Sequence, residues 1–300
     1  MGAKLIDGKK IAGQIRNEVS SGVLEMKRKH DIEPGLAVIL VGDDPASAVY
    51  VRNKERDANA VGMNGEIFNL PDNVSEEDLL SLVHQLNMDT AFHGILVQMP
   101  LPREIDENRI ISAINPLKDV DGLHPYNVGL LASGNPRFIP ATPAGIEQML
   151  LRTDNNPSGK HVVVLGRSNI VGRPVANLLS LKRSGGNATV TVCHSGTYNL
   201  CDITREADIL ITAIGRPKYV TEEMITDEVV VIDVGINRIE NPSKRSGYEL
   251  IGDVDFRGVS RKASAITPVP GGVGPMTIAM LLSNTLRAAR DLKHSNGSHV

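Results

Sequence analysis

Seven short apolar runs bounded by Gly, Asp or Pro limit what this chain can fold into: "GLAVILVGDD", "GEIFNL", "GILVQMPLP", "HVVVLGRS", "ATVTVCHS", "ADILITAIG" and "EVVVIDVGIN". Such runs read as strands covered on both faces, the condition of strands in parallel sheets. Helix-length segments lie between them. In "SEEDLLSLVHQLN", Ser75 and Asp78 give a capping-box-like start, and in "GRPVANLLSLKR", Pro174 suits a first helical turn. Strand and helix alternate, which places the chain in the α/β class with largely parallel sheets.

The alternation pauses between about Asn115 and Lys160, where "NPLKDVDGLHPYNVGLLASGNPRFIPATPAG" and "TDNNPSGK" are rich in Pro, Gly and Asn. A domain junction is expected here. "TPAGIEQMLLR" reads as a connecting helix with Thr142 as its cap and Pro143 at its first position. A second polar segment, "SRKASAITPVPGGVGP", precedes a last helix, "MTIAMLLSNTLRAARDLK", expected to return to the first domain; the tail "HSNGSHV" reads as frayed. The expected domains are residues 1–141 with 275–300, and residues 142–274.

Composition narrows the function. With 300 residues, 41% of them hydrophobic, the chain can bury a core of one large or two ordinary domains. Its net charge is −3 and it has no long Lys or Arg run, so a nucleic-acid footprint is missing. No apolar run approaches the roughly 20 residues that span a bilayer, and "MGAKLIDGKKIAG" lacks a signal-peptide core. No membrane partner and a cytoplasmic location are therefore expected. Cys193 and Cys201, eight apart in "CHSGTYNLC", match neither a zinc pair nor a secreted disulfide framework, and no metal is expected.

"HVVVLGRSNIVGRPVANLL" is a strand, a glycine-containing loop and a helix, an order that offers backbone N–H groups and a helix N-terminus to phosphate oxygens. Five residues separate Gly166 from Gly172, so the usual G-x-G-x-x-G is absent and an ordinary βα turn is the plainer alternative. The following strand ends in Cys193, His194, Ser195 and Gly196, with no carboxylate for a ribose 2′-OH. Arg167 and Ser195 instead suit a 2′-phosphate, which favours NADP over NAD. In "TAIGRPKYV", Gly215 allows a close backbone approach to a cofactor or simply makes a turn.

Tyr50, Lys54, Gln98 and Asp121 each stand near or just after the C-terminal end of an expected strand, the edge where open α/β sheets bind ligands. Tyr50 precedes Lys54 by four residues, so one helical turn sets them side by side. Lys54 acts as acid or base near neutral pH only if lost hydration or a neighbouring cation lowers its pKa; otherwise it is a solvated surface charge. Gln98 places an amide in an apolar strand and requires hydrogen-bond partners. Asp121 before Gly122 caps a turn in its simplest reading, and Tyr50 is an amphipathic core residue in its own. Short-chain dehydrogenases also carry Tyr-x-x-x-Lys, but after their nucleotide loop; here the pair precedes Gly166 by more than 100 residues, and the analogy fails on order.

Taken together, "SAVYVRNK" (47–54), "GILVQMPLP" (94–102), "PLKDVDGLHPYNVGLL" (116–131), "PATPAGI" (140–146), "VVVLGRSNIVGRPVANLL" (162–179), "GDVDF" (252–256) and "TPVPGGVGPMT" (267–277) resemble the bifunctional methylenetetrahydrofolate dehydrogenase/cyclohydrolase family over nearly the whole chain. The resemblance implies an N-terminal α/β catalytic domain, a Rossmann-type NADP-binding domain, and two long helices joining them, one of them the C-terminal helix. It implies a homodimer paired through the nucleotide domain, a folate substrate, and a place in one-carbon metabolism and purine biosynthesis. Two reactions follow: NADP-dependent oxidation of 5,10-methylenetetrahydrofolate to the methenyl cation, and hydrolysis of that cation to 10-formyltetrahydrofolate.

Carried onto this sequence, the resemblance makes Lys54 the key residue of hydrolysis and Gln98 the residue that positions it. Tyr50 stacks on the folate and Asp121 hydrogen-bonds the pterin. The implied cofactor contacts are Gly166, Arg167, Ser168, Ile170, Gly172 and Pro174 at the first loop, His194 and Ser195 at the second, and Gly215 and Ile236 beyond. Pro270, Gly271 and Gly272 in "PVPGGVGP" wrap the substrate cleft. Two positions depart from the family pattern: Arg103 stands where His is usual and Ala141 where Cys is usual. A nucleotide-sensing module would account for Gly166 to Pro174 but not for the set from Tyr50 to Asp121.

Overall fold

The computed structural model describes residues 2–244 and 247–296. In chain order the first half holds β1 (Lys4–Leu5), α1 (Gly8–His30), β2 (Gly35–Val41), α2 (Pro45–Ala60), β3 (Asn64–Leu70), α3 (Glu76–Met88), β4 (Gly94–Val97), α4 (Glu107–Ala113) and α5 (Pro125–Ala132). Then come α6 (Ala141–Arg152), β5 (His161–Leu165), α7 (Gly172–Ser180), β6 (Thr189–Cys193), α8 (Leu200–Arg205), β7 (Ile209–Thr212) and β8 (Val230–Asp233). The chain closes with β9 (Asn237–Glu240), β10 (Tyr248–Ile251), α9 (Phe256–Val259), β11 (Ala265–Ile266) and α10 (Val273–Asn296). It divides into two compact units, residues 14–141 with 278–300, and residues 1–13 with 142–277.

In the unit of residues 14–141 with 278–300, three parallel strands run in the order β3-β2-β4. Every residue of the central β2 is buried, as its unbroken apolar sequence requires. Ile39 stands opposite Phe68 on one side and Val97 on the other. The core gathers Ile39, Leu79, Val83, Phe92, Ile95 and Ile110. Ser75 caps α3 as the sequence indicates: its Oγ accepts from the Asp78 amide at 3.1 Å and donates to Asp78 Oδ2 at 2.7 Å. The later part of α10 is tied down by Asn284, whose Nδ2 donates to the carbonyls of Val120 at 2.8 Å and Ile139 at 2.9 Å.

In the unit of residues 1–13 with 142–277, six parallel strands run in the order β1-β11-β8-β7-β5-β6. From β5 the chain steps outward to β6 and then returns to the other side of β5 with β7. Strand order reverses there, so the crevice outside the ends of β5 and β7 is the expected ligand site. Val163, Leu165, Leu210, Val231 and Ile266 supply much of the core on one face.

All seven apolar runs contain a strand, but not all are buried throughout. β3 and β6 lie at sheet edges; β3 has only exposed and partly buried positions, and β6 is buried only at Cys193. Four strands went unforeseen. β1 and β11 have two residues each, and the β9–β10 hairpin is antiparallel and too polar to stand out. Pairing of β1 with β11 draws the first residues into the unit of residues 142–277, which departs from the boundary at 1–141.

The helices differ from expectation as well. α6 begins at Ala141, so Thr142 lies inside it; its hydroxyl is 3.3 Å from that of Thr277 instead of capping the helix. The divisions between units fall inside α1 and α10, and α6 belongs almost wholly to one unit. α10 continues through Asn296, past the expected start of the frayed tail, and residues 297–300 of that tail lie outside the described residues. Ile39 sits at the centre of the smaller sheet with no exposed surface. Ile39→Ala should cost about 2–5 kcal/mol, read as a lower midpoint in urea unfolding.

Candidate functional site

α2 leaves the C-terminal end of β2 with Asp44 as its cap, whose carboxylate accepts from the Ser47 amide at 2.7 Å, and with Pro45 in its first turn. The helix carries both Tyr50 and Lys54. Tyr50 is 47% exposed and so is not the core residue of its simplest reading. Lys54 is partly buried and its Nζ donates to Gln98 Oε1 at 2.8 Å. The Gln98 amide is held from its other end, since Nε2 donates to the Met99 carbonyl at 2.7 Å. Its own backbone N–H donates to Ile39 O at 2.9 Å, although Gln98 follows β4 and is not part of the strand. The glutamine is therefore fixed by the sheet edge and presents an acceptor to the lysine.

Burial lowers the pKa of Lys54 below the ordinary lysine value, and the nearby carboxylate of Asp121 pulls it partly back. Asp121 shows the converse: burial raises its pKa, the Lys54 charge opposes that, and Asp119 adds to it. Lys54, Gln98 and Asp121 are thus one electrostatic group, with Tyr50 a turn away on the same helix.

The turn reading of Asp121 is overturned by its neighbour. Asp119, 1% exposed, accepts from the amides of Leu123 at 3.2 Å and His124 at 2.9 Å and from Asn127 Nδ2 at 2.8 Å. Asp119 holds the turn, and Asp121 is released from that work. The sequence signal was present in "KDVDG", where either acid could take the role.

The other unit holds a cavity of 270 Å³ at the switch point, lined among others by Gly166, Arg167, His194 and Ser195. These four of the ten expected cofactor residues come together there. Ile214, Arg216 and Tyr219 from the loop after β7 also line it, and the Arg216 guanidinium lies 4.6 Å from the centre of the Tyr219 ring. Sequence reasoning quoted this loop but assigned only Gly215. Among the described residues, no carboxylate lines the cavity.

Gly166 has a φ of +129°, and a Cβ there would lie 2.3 Å from the Ala213 carbonyl oxygen. A Cβ on Gly172 would lie 2.3 Å from the carbonyl oxygen of Gly166. The two glycines therefore let the loop fold against itself and against β7's exit. Gly215 has a φ of +65° with open space where a Cβ would be, so its glycine serves the turn.

Other expected contacts fall outside the cavity lining. Ser168 Oγ accepts from the amides of Val171 at 3.2 Å and Gly172 at 3.3 Å, which closes the loop before α7. Pro174 is buried in the inner face of α7. Ile170 and Ile236 are exposed. Pro270 lines a separate depression with Val269 and Lys218. Gly271 accepts from the Lys9 amide at 3.2 Å, and a Cβ on Gly272 would lie 2.5 Å from Pro268 O. Those two glycines serve packing inside their own unit, while Tyr50, Lys54, Gln98 and Asp121 belong to the other unit.

A doubly wound sheet with a glycine-folded loop at its switch point, in a chain whose other unit holds a partly buried lysine bonded to an amide, has the architecture of a nucleotide-dependent enzyme. Residues 6–121 match the catalytic domain of tetrahydrofolate dehydrogenase/cyclohydrolase, and residues 140–293 match its NAD(P)-binding domain. The chain is 55% identical to the bifunctional protein FolD of Chlorobium phaeobacteroides strain BS1, over 95% of this chain and 96% of that protein. The crystal structure of the bifunctional enzyme FolD from Campylobacter jejuni superposes with a TM-score of 0.90 at 46% identity, covering 97% of this chain and 99% of that one. The Trypanosoma brucei enzyme, solved with NADP cofactor and an inhibitor, gives 0.92 at 42% identity, covering 98% and 99%. The chain belongs to the tetrahydrofolate dehydrogenase/cyclohydrolase family.

A methyl group on Gly172 would push the first loop away from its helix. Gly172→Ala should weaken NADPH binding on the order of tenfold, followed by the fluorescence of the bound nucleotide.

Proposed function

We propose that Lys54, in its uncharged form and held by Gln98, is the proton acceptor in the hydrolytic half of a two-step folate reaction. The chain is a bifunctional enzyme of one-carbon metabolism: it oxidises 5,10-methylenetetrahydrofolate to 5,10-methenyltetrahydrofolate with NADP, then hydrolyses that product to 10-formyltetrahydrofolate. The hydrogen bond from Lys54 Nζ to Gln98 Oε1, together with the burial that lowers the lysine's pKa, carries the assignment.

The methenyl carbon is cationic, and a permanent ammonium beside it would oppose its binding. An amine avoids that repulsion and accepts a proton from the water that adds to the carbon. The carbon–N5 bond then breaks and the formyl group stays on N10, so the net reaction consumes one water and releases one proton. Gln98 supports this by fixing where Nζ points. Asp121 supplies a carboxyl group suited to the N–H donors of a pterin, and the exposed ring of Tyr50 supplies a stacking face.

The cavity at the switch point fits a phosphorylated dinucleotide. Arg167, Arg216, His194 and Ser195 line it without a carboxylate that would repel a 2′-phosphate. NADP, when bound, supplies the hydride acceptor for the first step. The chain's own part in that step is alignment of the two rings, which makes oxidation less dependent on Lys54 than hydrolysis is. Among the described residues no helix is long and apolar enough to cross a membrane. The family resemblance supports a cytoplasmic homodimer paired through the nucleotide unit and a contribution to purine biosynthesis.

Lys54→Met should leave NADP reduction measurable while cutting methenyl hydrolysis by about 10²–10⁴-fold, followed as loss of the methenyl absorbance. Equal hydrolysis by the variant would remove Lys54 from its role. Because the lysine works uncharged, the hydrolysis rate should rise with pH and level off below the ordinary lysine pKa. Gln98→Ala should move that inflection, read from the pH profile of hydrolysis on supplied methenyl substrate.

A further inference from the structure

We propose that Asp253, in the "GDVDF" segment, is a positioning residue for the NADP pocket: its carboxylate latches the loop after β7 that forms one wall of the cavity. This deepens the reading of that cavity as the NADP site and rests on it. The loop leaves the sheet at Thr212, with the Ala213 amide still bonded to Leu165 O at 2.8 Å. The next two amides have no strand to pair with. Both donate to one oxygen of Asp253, Ile214 at 2.8 Å and Gly215 at 3.0 Å. The other oxygen accepts from Asn237 Nδ2 at 2.9 Å. Asp253 is fully buried, so an acceptor of this strength is available to those amides with no competition from water.

The far end of the loop is bound to the same segment. Lys218 N donates to Gly252 O at 3.1 Å, Val220 N to Asp253 O at 2.9 Å, and Asp255 N to Val220 O at 2.8 Å. The segment is itself anchored from beneath by Asp233, which accepts from the amides of Asp253 and Val254, each at 3.0 Å. A loop held at both ends to one buried strip carries Ile214, Arg216 and Tyr219 into the cavity. Asp253 touches neither cofactor nor substrate in this scheme and acts through Ile214 and Gly215. The amide pair requires an acceptor oxygen, and nothing else on the strip supplies one at that point.

The test compares Asp253→Ala with Asp253→Asn, which retains one oxygen for the two amides. NADPH affinity is measured by nucleotide fluorescence, and KM and kcat are measured for each substrate. Asp253→Ala should weaken NADPH binding and raise the KM for NADP by about tenfold, Asp253→Asn by less, with the KM for methylenetetrahydrofolate unchanged in both. If Asp253→Ala does not fold, a weakening of about threefold in Asp253→Asn, with the folate KM unchanged, still supports the latch. Affinity equal to wild type in the folded variants overturns it. So does a parallel loss of folate binding and methenyl hydrolysis, which would make the residue merely structural. Wild-type protein that binds no NADPH would instead sink the reading of the cavity, and the latch with it.

Discussion

A parallel strand buried on both faces can do chemistry only where it ends. Its side chains are committed to the core and its backbone to the ladder, so the first free amides, carbonyls and polar side chains appear at the C-terminal edge. Both units of this protein obey that constraint. β2 and β4 end at the roots of α2 and Gln98, and β5, β6 and β7 end at the three loops around the 270 Å³ cavity. The Lys54–Gln98 pair and the cavity thus use one structural principle twice, with different side chains grafted onto the same kind of edge.

The lysine site shows how far burial and charge can be balanced against each other. Loss of water disfavours the ammonium of Lys54 and the carboxylate of Asp121 alike, while their mutual attraction favours both. The balance leaves the lysine more easily deprotonated than a surface lysine, without isolating a full charge in the interior. Asp119 contributes by taking over the local backbone amides, which would otherwise draw the carboxylate of Asp121 into a turn. Two acids separated by a single residue, Val120, therefore have separate duties, one structural and one electrostatic.

Much of this was legible in the sequence because it depends on local rules. Continuous apolar runs located the buried strands, the Ser75 cap located the start of α3, and the absence of an acid after β6 matched a cavity without carboxylates. The sequence was silent where structure comes from distant pairing. β1 and β11 are each only two residues long and exist through each other. The loop that carries Arg216 and Tyr219 is bonded at Gly215 to Asp253, 38 residues further on. Thr142 looked like a cap by composition, yet α6 begins one residue earlier. The pair at Tyr50 and Lys54 carried little by spacing alone, and acquired meaning from the amide oxygen of Gln98, 44 residues further on.

The crossing of α1 and α10 between units bears on how the protein is made. Residues 14–141 leave the ribosome early, yet Asn284 on α10 satisfies the carbonyls of Val120 and Ile139 within their unit. The first-made strand, β1, waits for β11, near the other end of the chain. Neither unit is a contiguous stretch of the chain. Both cores therefore stay incomplete until β11 and α10 have been made, and the earlier segments must wait for them without a finished unit to fold into.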